Sequence, residues 1–178
     1  MHIIVYILPE IFLSLAIMFL LMLGVFIKKS FNLVYLLTIL SLIFAIALVL
    51  NQPDETIKIF NESYIIDRLS IFMKVLTLLF CLFVLLSSKD YVKNTNIDKI
   101  EYPIIILASI LGMIIMISSF DLIVFYLGLE LQSLCLYILA SFRREDERST
   151  EAGLKYFVLS ALASGLLLYG CSLIYGFT

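Results

Sequence analysis

Histidine is almost missing from this 178-residue chain: His2 is the only one, and it stands at the very start. That excludes a serine–histidine–acid set and leaves no imidazole cluster for a metal or a haem. Glycine is sparse too, with seven residues, and none is grouped into a phosphate-binding loop. The three cysteines, Cys81, Cys135 and Cys171, lie far apart inside apolar runs. Such spacing reads as reduced, buried thiols, with neither a disulfide framework nor a zinc or iron–sulfur site. Charge is scarce, at 15% of residues and a formal net charge of -2. No basic patch is interleaved with aromatics, so nucleic acid is not an expected partner. A cleavable signal peptide is not expected, because Met1-His2-Ile3-Ile4-Val5 carries no Lys or Arg and the apolar run after it is long.

What is present is apolar: 63% of the chain is hydrophobic, whereas a soluble domain has roughly 45–50%. The excess sits in blocks of about 18–25 residues nearly free of charge, the length of a membrane-spanning helix. The pattern predicts an all-α integral membrane fold of about six transmembrane helices, over residues 3–27, 31–50, 64–88, 102–118, 121–142 and 152–176. Barrel strands are excluded, because they are about 10 residues long and alternate polar with apolar. Backbone polar groups in lipid must be satisfied within the segment, which leaves helices. Pro9 suits a first helical turn, Asn51-Gln52-Pro53 is a stop signal, and Asp121 is placed to cap the fifth span. Residues 54–63, 89–101 and 143–151 read as polar loops. The chain divides into residues 1–101, with helices one to three and their loops, and residues 102–178, with helices four to six.

Orientation follows from Lys and Arg. Lys28, Lys29, Lys89, Lys93, Lys99, Arg143, Arg144 and Arg148 follow the odd-numbered spans, while the loop after the second span holds only Lys58, with Arg68 just beyond. The odd loops therefore face the positive side, and both chain ends face the other.

An ionisable side chain inside a span is costly and is read first as functional. Glu130 is the foremost candidate, near the middle of the fifth span. Helical spacing puts Tyr126, Glu130, Ser133, Tyr137 and Ser141 on one face. A carboxyl there is either protonated or paired with a cation, and a group poised between those states carries a proton. The alternative is a neutral acid that only hydrogen-bonds to a neighbouring helix. Lys155, about one turn into the sixth span, either snorkels to the interface or faces protein. The small residues Ser160, Ala161, Ala163, Ser164 and Gly165 on the same helix favour close helix packing. Lys74, about two turns into the third span, either snorkels or pairs with a carboxylate on a neighbouring helix. Glu10 and Asp121, near span ends, read as solvated.

Two stretches carry a resemblance. Residues 121–139, DLIVFYLGLELQSLCLYIL, resemble the fifth helix of the NADH dehydrogenase subunit 2 family, the bacterial N-type membrane subunits. Residues 149–170, STEAGLKYFVLSALASGLLLYG, look like the next helix of that family. Leu8-Pro9-Glu10-Ile11 and the run DRLSIFMK at residues 67–74 fit more loosely. The resemblance implies an antiporter-like fold of about fourteen helices containing two inverted repeats, of which this chain carries the first part. It further implies a membrane-arm subunit of respiratory NADH:ubiquinone oxidoreductase (complex I) that takes part in redox-driven proton translocation. Glu130 matches the family's fifth-helix glutamate, and Lys155 matches a lysine of the sixth helix. Tyr126, Ser133, Tyr137 and Lys74 are candidate supporting residues.

No cofactor is expected on this chain by that resemblance: NADH, FMN, iron–sulfur clusters and quinone would sit in other subunits. Phospholipid is expected at Lys28, Lys29, Arg143 and Arg144 on charge alone. The family's broken helix, its central lysine and its second repeat have no counterpart in these residues. A second polypeptide supplying them is the favoured expectation, the other being a packing subunit without its own proton path. The remaining alternative is a subunit of a related cation/proton antiporter. The expected partners are other membrane-arm subunits and lipids. The expected setting is the mitochondrial inner membrane, with the bacterial plasma membrane as the alternative.

Overall fold

The computed structural model describes residues 6–26, 31–53, 56–95 and 97–177. Among them run six helices: α1 Leu8–Phe26, α2 Phe31–Leu50, α3 Arg68–Asn94, α4 Glu101–Ile117, α5 Leu122–Ala140 and α6 Glu147–Phe177. Five are long and apolar enough to cross a membrane, and α4 is a shorter apolar helix of 17 residues. A helix that short rises about 26 Å, at the low end of what spans a bilayer. The all-α membrane fold read from the sequence is therefore the fold observed.

The bundle is built around α4, which packs against α1, α2, α3 and α5, while α6 packs on α5. The core lies among the first four helices. Leu13 and Leu20 of α1, Leu42 and Val49 of α2, Leu78 and Leu85 of α3, and Leu107, Ile110 and Ile114 of α4 form one buried cluster. Large apolar side chains such as Phe19, Phe80, Leu159 and Leu166 remain exposed. On a chain with this many spanning helices, those are surfaces for lipid or for further helices.

Helix ends differ from the sequence reading where polar residues cap or extend a helix. The third helix starts at Arg68, four residues later than expected, because Asp67 caps it. The Asp67 carboxylate accepts from the Ser70 backbone N–H at 2.7 Å while the Ser70 hydroxyl accepts from the Asp67 N–H at 2.9 Å, a reciprocal capping box. That helix runs on through Lys89 and Lys93 to Asn94, a basic end that suits the helix dipole. The last helix begins at Glu147, inside the expected charged loop. Asp146 accepts from the Arg148 N–H at 3.1 Å, and acidic residues favour a helix start. Asp121, expected as a cap, sits at the N-cap position of α5 but makes no side-chain cap bond.

Residues 57–66 hold a feature that the sequence reading missed. Strands β1 Ile57–Ile59 and β2 Tyr64–Ile66 form an antiparallel hairpin, with Ile57 opposite Ile66 and Ile59 opposite Tyr64. Its turn places three consecutive residues, Phe60, Asn61 and Glu62, at positive φ of 54°, 53° and 71°. That region is uncommon for residues other than glycine. The hairpin is tied to the turn between α4 and α5: Ile65 N–H donates to the Ser118 carbonyl at 2.8 Å, and Phe120 N–H donates to the Ser63 carbonyl at 3.0 Å. Gln52 donates to the Tyr6 carbonyl at 2.7 Å. The start of α1, the end of α2, the hairpin and the α4–α5 turn thus gather at one end, the side poor in Lys and Arg. At the other end, Ile97 and Lys99 meet Phe142, Arg143 and Arg144 around a cleft of about 490 Å³.

Candidate functional site

Two glycines decide which way Glu130 points. Gly112 of α4 and Gly128 of α5 lie against one another so closely that a Cβ on Gly112 would stand 2.8 Å from the Gly128 carbonyl oxygen. The face of α5 carrying Gly128 and Gln132 is therefore pressed on α4. Glu130 is on the opposite side, which turns toward α6 further along the helix. There Tyr137 packs edge-on to the rings of Tyr156 and Phe157, at 4.8 and 5.7 Å between centroids. Gly153 receives Ser141, leaving no room for a Cβ. Carried along two antiparallel helices, the same register brings Glu130 level with Ser164. The covered face of α6 is a stripe of small residues, Gly153, Ser160, Ser164 and Cys171, whereas Ala161, Ala163 and Gly165 of the expected patch are exposed.

Glu130 is partly buried, and its Oε1 is buried with no hydrogen-bond partner among the described residues. Ser133 donates to the Glu130 backbone carbonyl, not to the carboxyl, at 3.0 Å. Tyr126 and Ser133 are partly buried on the same face, and Tyr137 is buried. The carboxyl is held mid-helix, away from α4, with an unfilled acceptor.

Lys155 is not brought to Glu130. Successive helical residues turn by about 100°, so Lys155 stands about 200° round α6 from Gly153, on the side away from α5. Its ammonium pairs with Glu151 at 2.5 Å on the same helix, and the two side chains are 71% and 63% exposed. An exposed pair one turn apart contributes about 0.3–0.5 kcal/mol.

The most enclosed charged group of the described residues is Lys74, with no exposure at all. Its ammonium donates to Glu10 Oε1 at 2.7 Å and to the Tyr64 hydroxyl at 3.0 Å. Tyr64 donates to the same carboxylate oxygen at 2.6 Å, and Lys74 lies 5.2 Å from the centre of the Tyr64 ring. Of the two expectations for Lys74, the carboxylate on a neighbouring helix is the one observed. Glu10 is correspondingly not solvated: it is only 6% exposed, because α1, α3 and the hairpin close over it. Burial first, then the Glu10 carboxylate, push the Tyr64 phenol far above its ordinary range, so it remains a proton donor.

Sequence reasoning missed Glu10 and Tyr64 as members of this cluster. Glu10 sits in the first turn of an apolar helix, where a carboxylate is ordinarily wet, and Tyr64 reaches it only through the hairpin. The signal that points to Glu10 is Lys74, since a lysine enclosed in a span requires a carboxylate. On the positive side, Arg143 and Arg144 share their cleft with Lys99, Glu145 and Asp146. Lys28 and Lys29 lie outside the described residues. No group of three or more His, Cys, Asp or Glu able to hold a metal occurs among the described residues.

A bundle of apolar helices with carboxylates and a lysine buried in it defines a multi-pass membrane protein. Residues 11–117 match the family described as NADH-ubiquinone oxidoreductase chain 4, amino terminus, and residues 119–178 match NADH:quinone oxidoreductase/Mrp antiporter, TM. The chain belongs to this family of NADH:quinone oxidoreductase membrane subunits. It is 61% identical to NADH-quinone oxidoreductase subunit N of Pelagibacter ubique, over 97% of this chain and 37% of that one. It is 50% identical to subunit N of Paramagnetospirillum magneticum, over 96% of this chain and 35% of that one. The fold matches a chain of respiratory complex I from Thermus thermophilus with bound aureothin, at a TM-score of 0.81 and 29% identity, over 96% of this chain and 37% of that chain. The chain thus spans about a third of the length of the relatives it matches.

Proposed function

We propose that this chain contributes the amino-terminal helices of an antiporter-like subunit that takes part in redox-driven proton translocation in the membrane arm of NADH:quinone oxidoreductase. The observation that carries the reading is the Glu130 carboxyl, midway along a spanning helix with a buried oxygen that has no partner among the described residues. Such a group alternates between protonated and charge-paired forms at moderate cost. Glu130 is the acid–base group of this reading, with Tyr126, Ser133 and Tyr137 shaping its face. Lys155 is the next charge. It stands on the outer face of α6, to be covered by the helices that complete the fold, on the same or a second polypeptide. Its proton affinity then responds to the charge of Glu130, as coupled sites do.

In this reading NADH, FMN, the iron–sulfur clusters and the quinone belong to other subunits, and this chain supplies no redox group. Its partners are other membrane-arm subunits, and anionic phospholipid headgroups at Lys99, Arg143 and Arg144. The similar chains named above are bacterial, which supports the plasma membrane as the setting over the mitochondrial inner membrane.

Replacement of Glu130 by Gln in the assembled complex is expected to lower the number of protons moved per electron while leaving assembly intact. An unchanged ratio would sink the reading. A second reading, a subunit of a cation/proton antiporter, is favoured by the Mrp antiporter description of residues 119–178. Native gel separation with mass spectrometry of the NADH-oxidising band decides between them. The chain is found in that band under the first reading and outside it under the second.

A further inference from the structure

Glu10, Lys74 and Tyr64 lie outside the path just described, at the end of the bundle poor in Lys and Arg. A cluster that only fastened helices together would be an expensive choice. Replacing a buried ion pair by apolar residues of similar volume is often neutral or stabilising. Lys74 is fully enclosed, so it does not snorkel. Only one oxygen of the Glu10 carboxylate is used. Lys74 and Tyr64 both converge on Oε1, while Oε2 is buried without a partner among the described residues. Among the described residues a second buried polar atom at the same end lacks a partner, the Gln52 side-chain carbonyl. A buried water requires about two to four polar partners, and these orphaned atoms are of the kind it satisfies. Glu10 is in the first turn of α1, so the path from Oε2 to the aqueous side is short.

We propose that Glu10 and Lys74, bridged by the Tyr64 hydroxyl, form a water-connected proton-exchange site opening to the side of the membrane poor in Lys and Arg. In the resting form the Glu10 carboxylate faces the Lys74 ammonium. A hydronium ion at Oε2 gives its proton to the carboxylate, leaving a water molecule and a carboxylic acid beside the ammonium. The reverse transfer to water restores the pair, and no electrons move. The excess positive charge of the loaded form drives the release. Asp67, at the start of α3, attracts the same ammonium, and Tyr64 stays protonated throughout as an anchoring donor. Ser118, from the end of α4, adds an uncharged hydroxyl.

This inference rests on the proton-translocation reading, and its test is arranged so that the two fail separately. The complex is assembled with the natural chain, with Tyr64→Phe, with the charge-free double variant Glu10→Gln/Lys74→Met, or with Glu130→Gln. Protons moved per electron are measured in vesicles while the pH on the Lys/Arg-poor side alone is varied. Tyr64→Phe changes little volume but removes a hydrogen bond that favours the carboxylate. The midpoint of the pH dependence is expected to rise by about one unit, the size of effect that a lost charge-assisted hydrogen bond produces. The double variant is expected to lose that titrating step altogether. A helix fastening would leave the profile unmoved in Tyr64→Phe and intact in the double variant, and that pair of results overturns the inference. Should the double variant not assemble, Tyr64→Phe decides alone. If Glu130→Gln lowers the ratio while both other profiles match the natural chain, only the exchange site is refuted. If Glu130→Gln pumps normally, the proton-translocation reading itself fails.

Discussion

Gly112 and Gly128 meet with their backbones in contact: a Cβ on Gly128 would lie 2.9 Å from the Gly112 carbonyl oxygen, and one on Gly112 2.8 Å from the Gly128 carbonyl oxygen. The atoms in the way are main chain, so no side chain can swing aside. Small residues at such crossings let helices in lipid approach closely. This one fixes the rotation of α5 and with it the side on which Glu130 emerges.

Alanine at either position is expected to destabilise the protein by about 1–3 kcal/mol through overpacking. Alanine at Gly165, where a Cβ meets nothing within 4 Å, is expected to be neutral or to stabilise by up to about 1 kcal/mol through helix propensity. Thermal unfolding in detergent of the three variants checks this. Equal effects at all three positions would contradict the packing account.

The Glu10–Lys74 pair is expected to be strongly coupled. Glu10→Gln or Lys74→Met alone strands a buried charge, at a cost of about 3–5 kcal/mol. The double variant is expected to cost less than the two single changes added together. A double-mutant cycle on unfolding free energy measures the coupling, and additive values would mean that the pair does not interact.

Two aspartates at helix starts are expected to behave differently. Asp67→Ala removes a capping box and is expected to cost about 0.5–2 kcal/mol. Asp121→Ala removes no cap bond and is expected to change stability by less than about 0.5 kcal/mol. Comparing the unfolding midpoints of the two variants tests the contrast.

The seat of α6 on α5 is expected to depend on Gly153. A Cβ there would collide with the Ser141 side chain, so Gly153→Ala is expected to loosen α6 and expose it to protease. Ser141→Gly in the same chain is expected to restore protection. Failure of that rescue would show that Ser141 is not the obstructing group.

The membrane class and the helix count were legible in the sequence because both rest on length and apolarity, which are local quantities. Helix ends were less legible. Asp67 moved one inward, while Lys93 and Glu147 extended two others, each through capping or dipole effects that hydropathy does not register. The hairpin at residues 57–66 was invisible because its strands have three residues each and are held by bonds to a turn more than 50 residues away.

For the candidate site, the sequence by itself determined that Glu130 lies mid-span and that Lys74 lies within a span, where it either snorkels or pairs with a carboxylate. Both follow from one-dimensional position in an apolar run. Only the tertiary structure decided where those groups point. Gly112 turns Glu130 away from α4, the stripe from Gly153 to Cys171 turns Lys155 outward, and the hairpin encloses Glu10 with Lys74 and Tyr64. The physical reason is that the cost of a charge depends on what surrounds it. Those surroundings are set by helix rotation and by contacts between residues distant in the chain.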